Sequence, residues 1–277
     1  MKTVTLPSGE LVPALGLGTW CLGDDPATRE EEIATLRVGL DLGLRLIDTA
    51  EMYGEGRSED LVGEAIEGRR DEVFLVSKVY PHNASRKAAI AACERSLRRL
   101  RTDRLDLYLL HWRGNVPLAE TIEAFEVLQR AGKIRHYGVS NLGQSDMEEL
   151  WTVPGGPAVA TNQLLYNLMR RGIEWDLLPW LRARRIPGMA YSPIEQARLL
   201  RNPRLVHFAE QQHLKPAQVA LAWLLAHDDV IVIPKTGRRS RLEENAGALE
   251  VRLTPAQLAE LDGLFPPPDR AHPLEML

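Results

Sequence analysis

The stretch TREEEIATLRVGLDLGLRLIDTA, residues 28–50, contains a helix pattern followed at once by a strand pattern. Residues 28–43 carry apolar side chains at helical spacing, with Thr28 as a candidate N-cap and acidic residues in the first turn. Residues 44–50 are short and mostly apolar, which is typical of a strand that is buried on both faces. A helix joined directly to a buried strand is the repeating unit of a parallel α/β sheet.

The same unit recurs along the chain. Eight short apolar or β-branched runs are present, at residues 14–20, 44–50, 73–79, 105–112, 134–141, 158–166, 186–193 and 230–236. Helical patterns lie between them, among others at residues 85–100, which start at Ser85, and at 117–133, which close on Gly132. Eight alternations favour a closed (β/α)8 TIM barrel, an α/β fold, over an open doubly wound sheet.

The first segment, residues 4–16, precedes this repeat. It has a Pro7-Ser8-Gly9 turn between two apolar patches and predicts an N-terminal β-hairpin that covers the bottom of the barrel. No Pro-, Gly- or Ser-rich linker divides the chain, so we predict one domain over residues 1–277.

Composition excludes several classes of function. The chain has 277 residues, 44% hydrophobic and 26% charged, with a net charge of -4, so it has no basic field to attract nucleic acid or an anionic membrane. Its two cysteines have no CxxC spacing, and neither a signal peptide nor a membrane-length apolar run is visible. These features predict a cytoplasmic protein that binds neither nucleic acid nor membrane.

Polar residues stand at the ends of several predicted strands, where barrel enzymes carry their chemistry. Each has an ordinary explanation when taken alone, because a strand-end Asp is often a helix cap and a lone His is often structural. Taken together they indicate a shared site, in which a buried Lys and a buried Asp are expected to pair. The strand-end residues are Asp48, Lys78, His111, Ser140-Asn141, Asn162-Gln163 and Lys235-Thr236.

Four groups, Asp48, Tyr53, Lys78 and His111, suggest a reaction. A free tyrosine titrates near about pH 10. An adjacent ammonium is expected to lower the pKa of Tyr53 and make it a usable proton donor, while Asp48 holds Lys78 in place and keeps it charged. His111 offers a neutral ring N–H to a carbonyl oxygen. Such a set suits protonation of an oxyanion while a hydride arrives from another molecule.

The chain resembles the aldo-keto reductases over about residues 4 to 250. The motifs that carry the resemblance are, in order, LGLGTW, LIDTAEMYGEG, VSKVY, LYLLHW, GVSN, NQLLY, AYSPI and IPKT…RLEEN. They look most like the bacterial branch of small aldehyde and ketone reductases, which includes methylglyoxal reductases. The resemblance implies a (β/α)8 barrel that reduces small carbonyl compounds with a nicotinamide cofactor and without a Rossmann fold. The chain indeed has no GxGxxG.

The resemblance also implies roles for residues. It places the catalytic tetrad on the same Asp48, Tyr53, Lys78 and His111. It implies that the nicotinamide is held by Ser140, Asn141 and Gln163 and stacked on Tyr191, that Ser192 and Ile194 approach the pyrophosphate, and that Gly18 and Thr19 are further cofactor contacts. It implies an adenosine end at Lys235, Thr236, Arg241, Glu244 and Asn245, and a substrate pocket lined by Trp20, Tyr80 and Trp112.

The residues at the adenosine end suggest which cofactor is used. Basic side chains beside a helix start near Ser240 suit a phosphate, although a solvated basic loop would look the same. With the resemblance, the cluster favours NADP(H) over NAD(H). After AYSP the chain reads IEQARLL, residues 194–200, where the family usually has a glycine-containing loop. The alternative for the three aromatic residues assigned to the substrate pocket is that they are packing residues at the rim.

Two other functions fit parts of the sequence. The first is a regulatory or sensor subunit that binds NADP(H) without significant turnover, against which an intact tetrad argues. The second is a metal-dependent barrel hydrolase or lyase, but the seven His show no HxH or HExxH pattern. We therefore expect a monomeric NADP-dependent enzyme that acts on a small carbonyl substrate and needs no metal.

Overall fold

The structure, a computed structural model, describes residues 2–277, and within that range it contains ten strands and ten α-helices. The strands are β1 (Thr3–Thr5), β2 (Leu11–Pro13), β3 (Leu17–Gly18), β4 (Leu46–Asp48), β5 (Phe74–Val79), β6 (Leu105–Leu110), β7 (Ile134–Ser140), β8 (Asn162–Leu165), β9 (Gly188–Tyr191) and β10 (Val230–Val232). The helices are α1 (Arg29–Asp41), α2 (Arg57–Ala65), α3 (Arg86–Arg99), α4 (Leu118–Arg130), α5 (Gln144–Thr152), α6 (Leu177–Arg182), α7 (Pro203–Gln211), α8 (Pro216–Leu225), α9 (Arg239–Ala246) and α10 (Pro255–Leu264).

Strands β3 to β10 form one parallel eight-stranded sheet in which each strand pairs with the next along the chain. Parallel bridges from Leu15 to Val232 and from Gly18 to Lys235 join the first strand to the last. Gly18 makes this approach feasible, because a Cβ atom there would lie 2.9 Å from the carbonyl oxygen of Ile233. The sheet therefore closes, and the predicted (β/α)8 barrel is confirmed.

The predicted strands are in the right places but too long. Each of the eight runs contains one strand, yet β3 has only two residues and β4 only three. Some of the polar residues that end the predicted runs lie just beyond the strand, where the chain continues into a loop. His111 and Asn141 are accordingly the first residues beyond β6 and β7.

The predicted helix boundaries agree with α1, α3 and α4 to within a few residues, and the two predicted N-cap residues are confirmed in position. Thr28 and Ser85 occupy the N-cap positions, and neither side chain makes a capping hydrogen bond. Thr28 has helical backbone angles, and its hydroxyl is bonded to Asp25 and Glu32 instead. The end of α4 matches the prediction, because Gly132 follows it with a left-handed φ of 71°.

The hairpin of β1 and β2 closes the end of the barrel opposite the strand carboxyl ends. Its turn contains Gly9, whose φ of 88° belongs to the left-handed region. The side chain of Glu10 accepts one hydrogen bond from Arg135 at 2.8 Å and lies 2.7 Å from Nε2 of His136, and both residues are at the start of β7. The predicted hairpin at the bottom of the barrel is therefore confirmed.

The core leaves little room for polar side chains. All residues of β5 and β6 are buried, and Lys78 is fully enclosed in β5. An ammonium in such a place needs a partner, because burial without one is very unfavourable. Within residues 2–277, no helix is both long and apolar enough to cross a bilayer.

Candidate active site

Three neighbouring strands deliver the central side chains to one rim of the barrel. Asp48 is the last residue of β4, Lys78 the penultimate residue of β5, and His111 follows β6. Tyr53 reaches the same place from a tight turn, Tyr53–Gly56, that joins β4 to α2. The structure thus brings together all four residues of the predicted tetrad.

Lys78 is the centre of this group. Its Nζ donates hydrogen bonds to Oδ2 of Asp48 at 2.8 Å, to the carbonyl oxygen of Thr49 at 2.9 Å and to the hydroxyl of Tyr53 at 3.1 Å. The side chain of Lys78 is 0% exposed and that of Asp48 is 3% exposed. Burial by itself lowers the pKa of Lys78, but the charge of Asp48 and the bonds to Asp48 and Tyr53 raise it above its usual value. Lys78 is therefore an ammonium ion.

Tyr53 differs from the prediction in the direction of its pKa. Burial raises the pKa of Tyr53, and the Asp48 carboxylate adds to the rise, while the charge and hydrogen bond of Lys78 lower it by less. Lys78 acts in the predicted direction, but burial outweighs its effect, so the expectation of a lowered pKa for Tyr53 was wrong. The hydroxyl accepts a bond from Lys78 and has no acceptor for its own proton within residues 2–277. Tyr53 thus holds a transferable proton at neutral pH.

His111 stands beside the phenol as a neutral ring. The two rings are edge to face with centroids 5.7 Å apart. Burial and the positive charge of Lys78 lower the pKa of His111 to about 2, so the ring is uncharged at physiological pH. Its Nδ1 is buried and has no hydrogen-bond partner within residues 2–277. The imidazole can therefore orient a polar ligand without adding charge to the site.

A row of amide and hydroxyl groups continues the site along β7, β8 and β9. Nε2 of Gln163 donates to Oδ1 of Asp48 at 2.7 Å. Asn141 donates to Oγ of Ser140 at 3.1 Å and accepts a bond from the hydroxyl of Tyr191 at 3.0 Å. These contacts fix the side chains before any ligand arrives, which lowers the ordering that binding requires.

These residues line one cleft of about 820 Å³ across the strand carboxyl ends. Every residue predicted to contact the cofactor lies on its wall, together with Asp48, Tyr53, His111, Trp20 and Trp112. Lys78 is not on the wall and acts from behind Asp48 and Tyr53.

Tyr80 departs from its predicted place on the substrate pocket. It is not on the wall of the cleft. Its ring packs against His82, with centroids 4.4 Å apart, and meets the ring of Trp112 edge to face at 5.2 Å. Its backbone N–H is bonded to the buried carboxylate of Glu51, which fixes the chain in this direction. Tyr80 therefore packs against Trp112 behind the wall of the cleft.

One end of the cleft is positively charged. Lys235 and Arg241 line it beside the first turn of α9, and both are exposed. Neither forms an ion pair with any group in residues 2–277, whereas nearby Arg239 is paired with Glu243 at 2.8 Å. Two unpaired cations at a helix N-terminus are a suitable binding site for a phosphate.

Two parts of the wall were not predicted from the sequence. One is the loop after β9, where Gln196, Ala197 and Leu200 line the cleft, and the other is the pair Met276 and Leu277. The unusual IEQARLL sequence pointed to the loop without giving its position. No local pattern marked the distal pair, since its place depends on contacts with residues far away in the chain.

A metal site has no support among residues 2–277, because no group of three or more His, Cys, Asp or Glu side chains is arranged to hold an ion. The site instead combines a long cleft on a closed barrel with a protonated tyrosine that is bonded to a buried Lys–Asp pair. These features define a barrel enzyme in which a tyrosine acts as the proton donor. Residues 14–265 match the model of the aldo/keto reductase family, to which this chain belongs.

Relatives of known name cover nearly the whole chain. It is 52% identical to the methylglyoxal reductase YeaE of Escherichia coli, over 98% of this chain and 97% of that protein. It is 35% identical to the glyoxal reductase of Bacillus subtilis, over 95% of this chain and 92% of that protein. A crystal structure of an aldo/keto reductase from Klebsiella pneumoniae in complex with NADP and acetate has a TM-score of 0.97 at 50% identity, and it covers 100% of this chain and 99% of that chain.

Proposed function

We propose that the protein reduces small aldehydes and ketones, including dicarbonyls of the methylglyoxal type, to alcohols with NADPH. The observation that carries this proposal is the phenol of Tyr53, which is protonated, bonded to a buried ammonium and placed on the wall of a long cleft. The similar proteins from E. coli and B. subtilis are a methylglyoxal reductase and a glyoxal reductase, which supports the same substrate class.

The residues of the cleft fit the nicotinamide dinucleotide that the family implies. Tyr191 offers an aromatic face, and the neighbouring row of Ser140, Asn141 and Gln163 offers the donors and acceptors that a carboxamide needs. The unpaired Lys235 and Arg241 suit the extra phosphate of NADPH. In support, a second crystal structure of the Klebsiella pneumoniae enzyme is a complex with NADPH. When bound, the cofactor supplies a hydride to the carbonyl carbon.

The side chains of the tetrad then control the proton. Tyr53 donates its hydroxyl proton to the carbonyl oxygen as negative charge develops there. Lys78 stabilises the phenolate that remains, because its ammonium group is already within hydrogen-bond distance. Asp48 keeps Lys78 charged and in place, and neutral His111 orients the oxygen.

The carbonyl end of the cleft favours small uncharged substrates. Its wall includes the aromatic and apolar side chains Trp20, Met52, Trp112 and Met276. Arg113, next to Trp112, is not on that wall, and its Nη2 donates to Glu149 at 3.0 Å. Such a pocket selects by shape and contact area more than by charge.

The decisive experiment compares Tyr53→Phe with the wild type. The wild type should oxidise NADPH in the presence of methylglyoxal, and NADH much more slowly. In the variant we expect kcat to fall by about 10²- to 10⁴-fold, the usual contribution of a general acid, while the Kd for NADPH changes little. An unchanged kcat would exclude Tyr53 as the proton donor. NADPH binding to the wild type without reduction of any aldehyde would instead favour a sensor.

We further propose that residues 1–277 form one domain that works as a monomer in the cytoplasm. Closure of the barrel between β3 and β10 supports a single unit. Both cysteines are free, and Cys93 is buried, which suits a reducing compartment. Light scattering after gel filtration tests the monomer, and a dimer mass would contradict it.

A further inference from the structure

The loop after β9 contains a buried acid with an unusual number of partners. The side chain of Glu195 is 1% exposed. Its Oε1 accepts hydrogen bonds from Nε and Nη2 of Arg170, at 3.1 and 2.9 Å, and from Arg198 at 3.1 Å. Its Oε2 accepts a bond from Nδ2 of the buried Asn167 at 2.9 Å. The carboxylate is therefore a fixed point to which the loop is tied.

The backbone around Glu195 needs such support. Ser192, Glu195, Gln196 and Ala197 have φ values of 48°, 50°, 52° and 66°, all in the left-handed region that favours glycine. Residues with a Cβ atom keep this conformation only where their surroundings impose it. Gln196 and Ala197 line the cleft, so the bonds to Glu195 maintain the shape of that wall.

Arg170 also reaches a second wall of the cleft. Its Nη1 donates to Oε1 of Glu275 at 2.5 Å. The two residues that follow, Met276 and Leu277, line the cleft, and the backbone N–H of Leu277 lies 3.4 Å from the hydroxyl of Tyr191. Arg170 itself is not on the wall of the cleft. One guanidinium group thus ties together two walls that are distant in sequence.

We propose that Arg170 is a positioning residue that couples the loop 192–198 to the segment 272–277. The proposal rests on the function proposed above, in which NADPH occupies the cleft beside that loop. When a ligand orders one wall of the cleft, ordering the other wall costs less conformational entropy. A cofactor held against the loop therefore stabilises the pocket that receives the carbonyl compound. The planar fork of Arg serves two carboxylates at once, which the single ammonium of Lys cannot reproduce with this geometry.

Hydrogen exchange with and without NADPH tests the coupling directly. In the wild type, NADPH should slow amide exchange in both 192–198 and 272–277. In Arg170→Gln the protection of 272–277 should be lost, and the Kd for NADPH should rise about tenfold because the bonds that support the loop are gone. Glu275→Gln should lose the protection of 272–277 and keep that of 192–198. Arg170→Lys should not restore the wild-type pattern.

The matched control is Arg182→Gln, which removes an arginine–carboxylate pair with Asp229 just before β10, at the opposite end of the barrel. It should leave exchange and Kd unchanged. Protection of 272–277 by NADPH in Arg170→Gln to the wild-type extent would overturn the proposal, as would its absence in the wild type.

Initial rates give an independent reading of the same variants. With methylglyoxal as substrate, Arg170→Gln and Glu275→Gln should raise the KM severalfold and change kcat by less than about twofold, because the tetrad is untouched. A loss confined to kcat would contradict a positioning role.

NADPH binding without carbonyl reduction in the wild type would refute the proposed activity alone, and the exchange measurements would still decide the coupling. A wild type that does not bind NADPH would overturn both.

Discussion

Replacement of Lys78 by Met tests how the tetrad is held together. The substitution keeps an unbranched side chain of nearly the same length and removes three hydrogen bonds, to Asp48, Thr49 and Tyr53. Asp48, only 3% exposed, would be left as a carboxylate without its counter-ion. Removal of one partner from a buried ion pair typically costs about 3–5 kcal/mol, so the free energy of unfolding should fall by that amount at pH 7.

Urea unfolding followed by tryptophan fluorescence measures this loss. The double variant Lys78→Met/Asp48→Asn should lose less than the sum of the two single variants, with a coupling energy of about 2 kcal/mol, since residues in direct contact are not additive. Lys133→Met is the control: Lys133 pairs with Glu94 at 3.2 Å, both side chains are more than one-third exposed, and its loss should stay below about 1 kcal/mol. A similarly small loss for Lys78→Met, or strict additivity, would refute the account of the buried pair.

Two other predictions concern the cofactor and pH. The double variant Lys235→Gln/Arg241→Gln should raise the Kd for NADPH by about 10- to 100-fold and leave the Kd for NADH nearly unchanged, because two phosphate contacts are lost. Fluorescence titration with both nucleotides measures the two Kd values. An equal rise in both would contradict a 2′-phosphate site. Burial lowers the pKa of His111 from about 6.5 to about 2, so the unfolded chain takes up a proton there that the folded protein does not, and the stability present above pH 6.5 is lost as the pH falls. From pH 7 to 5 this residue should contribute a loss of about 2 kcal/mol in the free energy of unfolding, which His111→Gln should lack; an equal loss in that variant would exclude His111 as the source.

Much of the site could be predicted because a parallel barrel gathers its strand ends. Once eight strands are recognised, the carboxyl end of each lies on the same rim, and Asp48, Lys78 and His111 become neighbours without any knowledge of loops. The burial of β5 then requires a partner for Lys78, and Asp48 on the preceding strand, β4, is the nearest candidate. Strand order and side-chain type were sufficient for this part.

The sign of the Tyr53 pKa shift could not be read in the same way. Proximity to Lys78 is visible in the sequence, but the outcome depends on how deeply the phenol is buried and on how far Asp48 cancels the ammonium charge. The direction of Tyr80 was equally hidden, because it follows from a backbone bond to Glu51 and from packing against Trp112. Both the pKa of Tyr53 and the orientation of Tyr80 depend on opposing short-range interactions, whose strengths are set by atomic positions.

Sequence alone determined the fold class, the hairpin and the residues at the strand ends, since hydrophobic periodicity and strand order are local patterns repeated many times. Only the tertiary structure decided which distant segments complete the cleft. Arg170 meets Glu195 25 residues away and Glu275 105 residues away, and no local pattern links these positions. Such contacts form only after the chain has folded and loops from different strands converge, because a single charged side chain on a loop does not specify its partner.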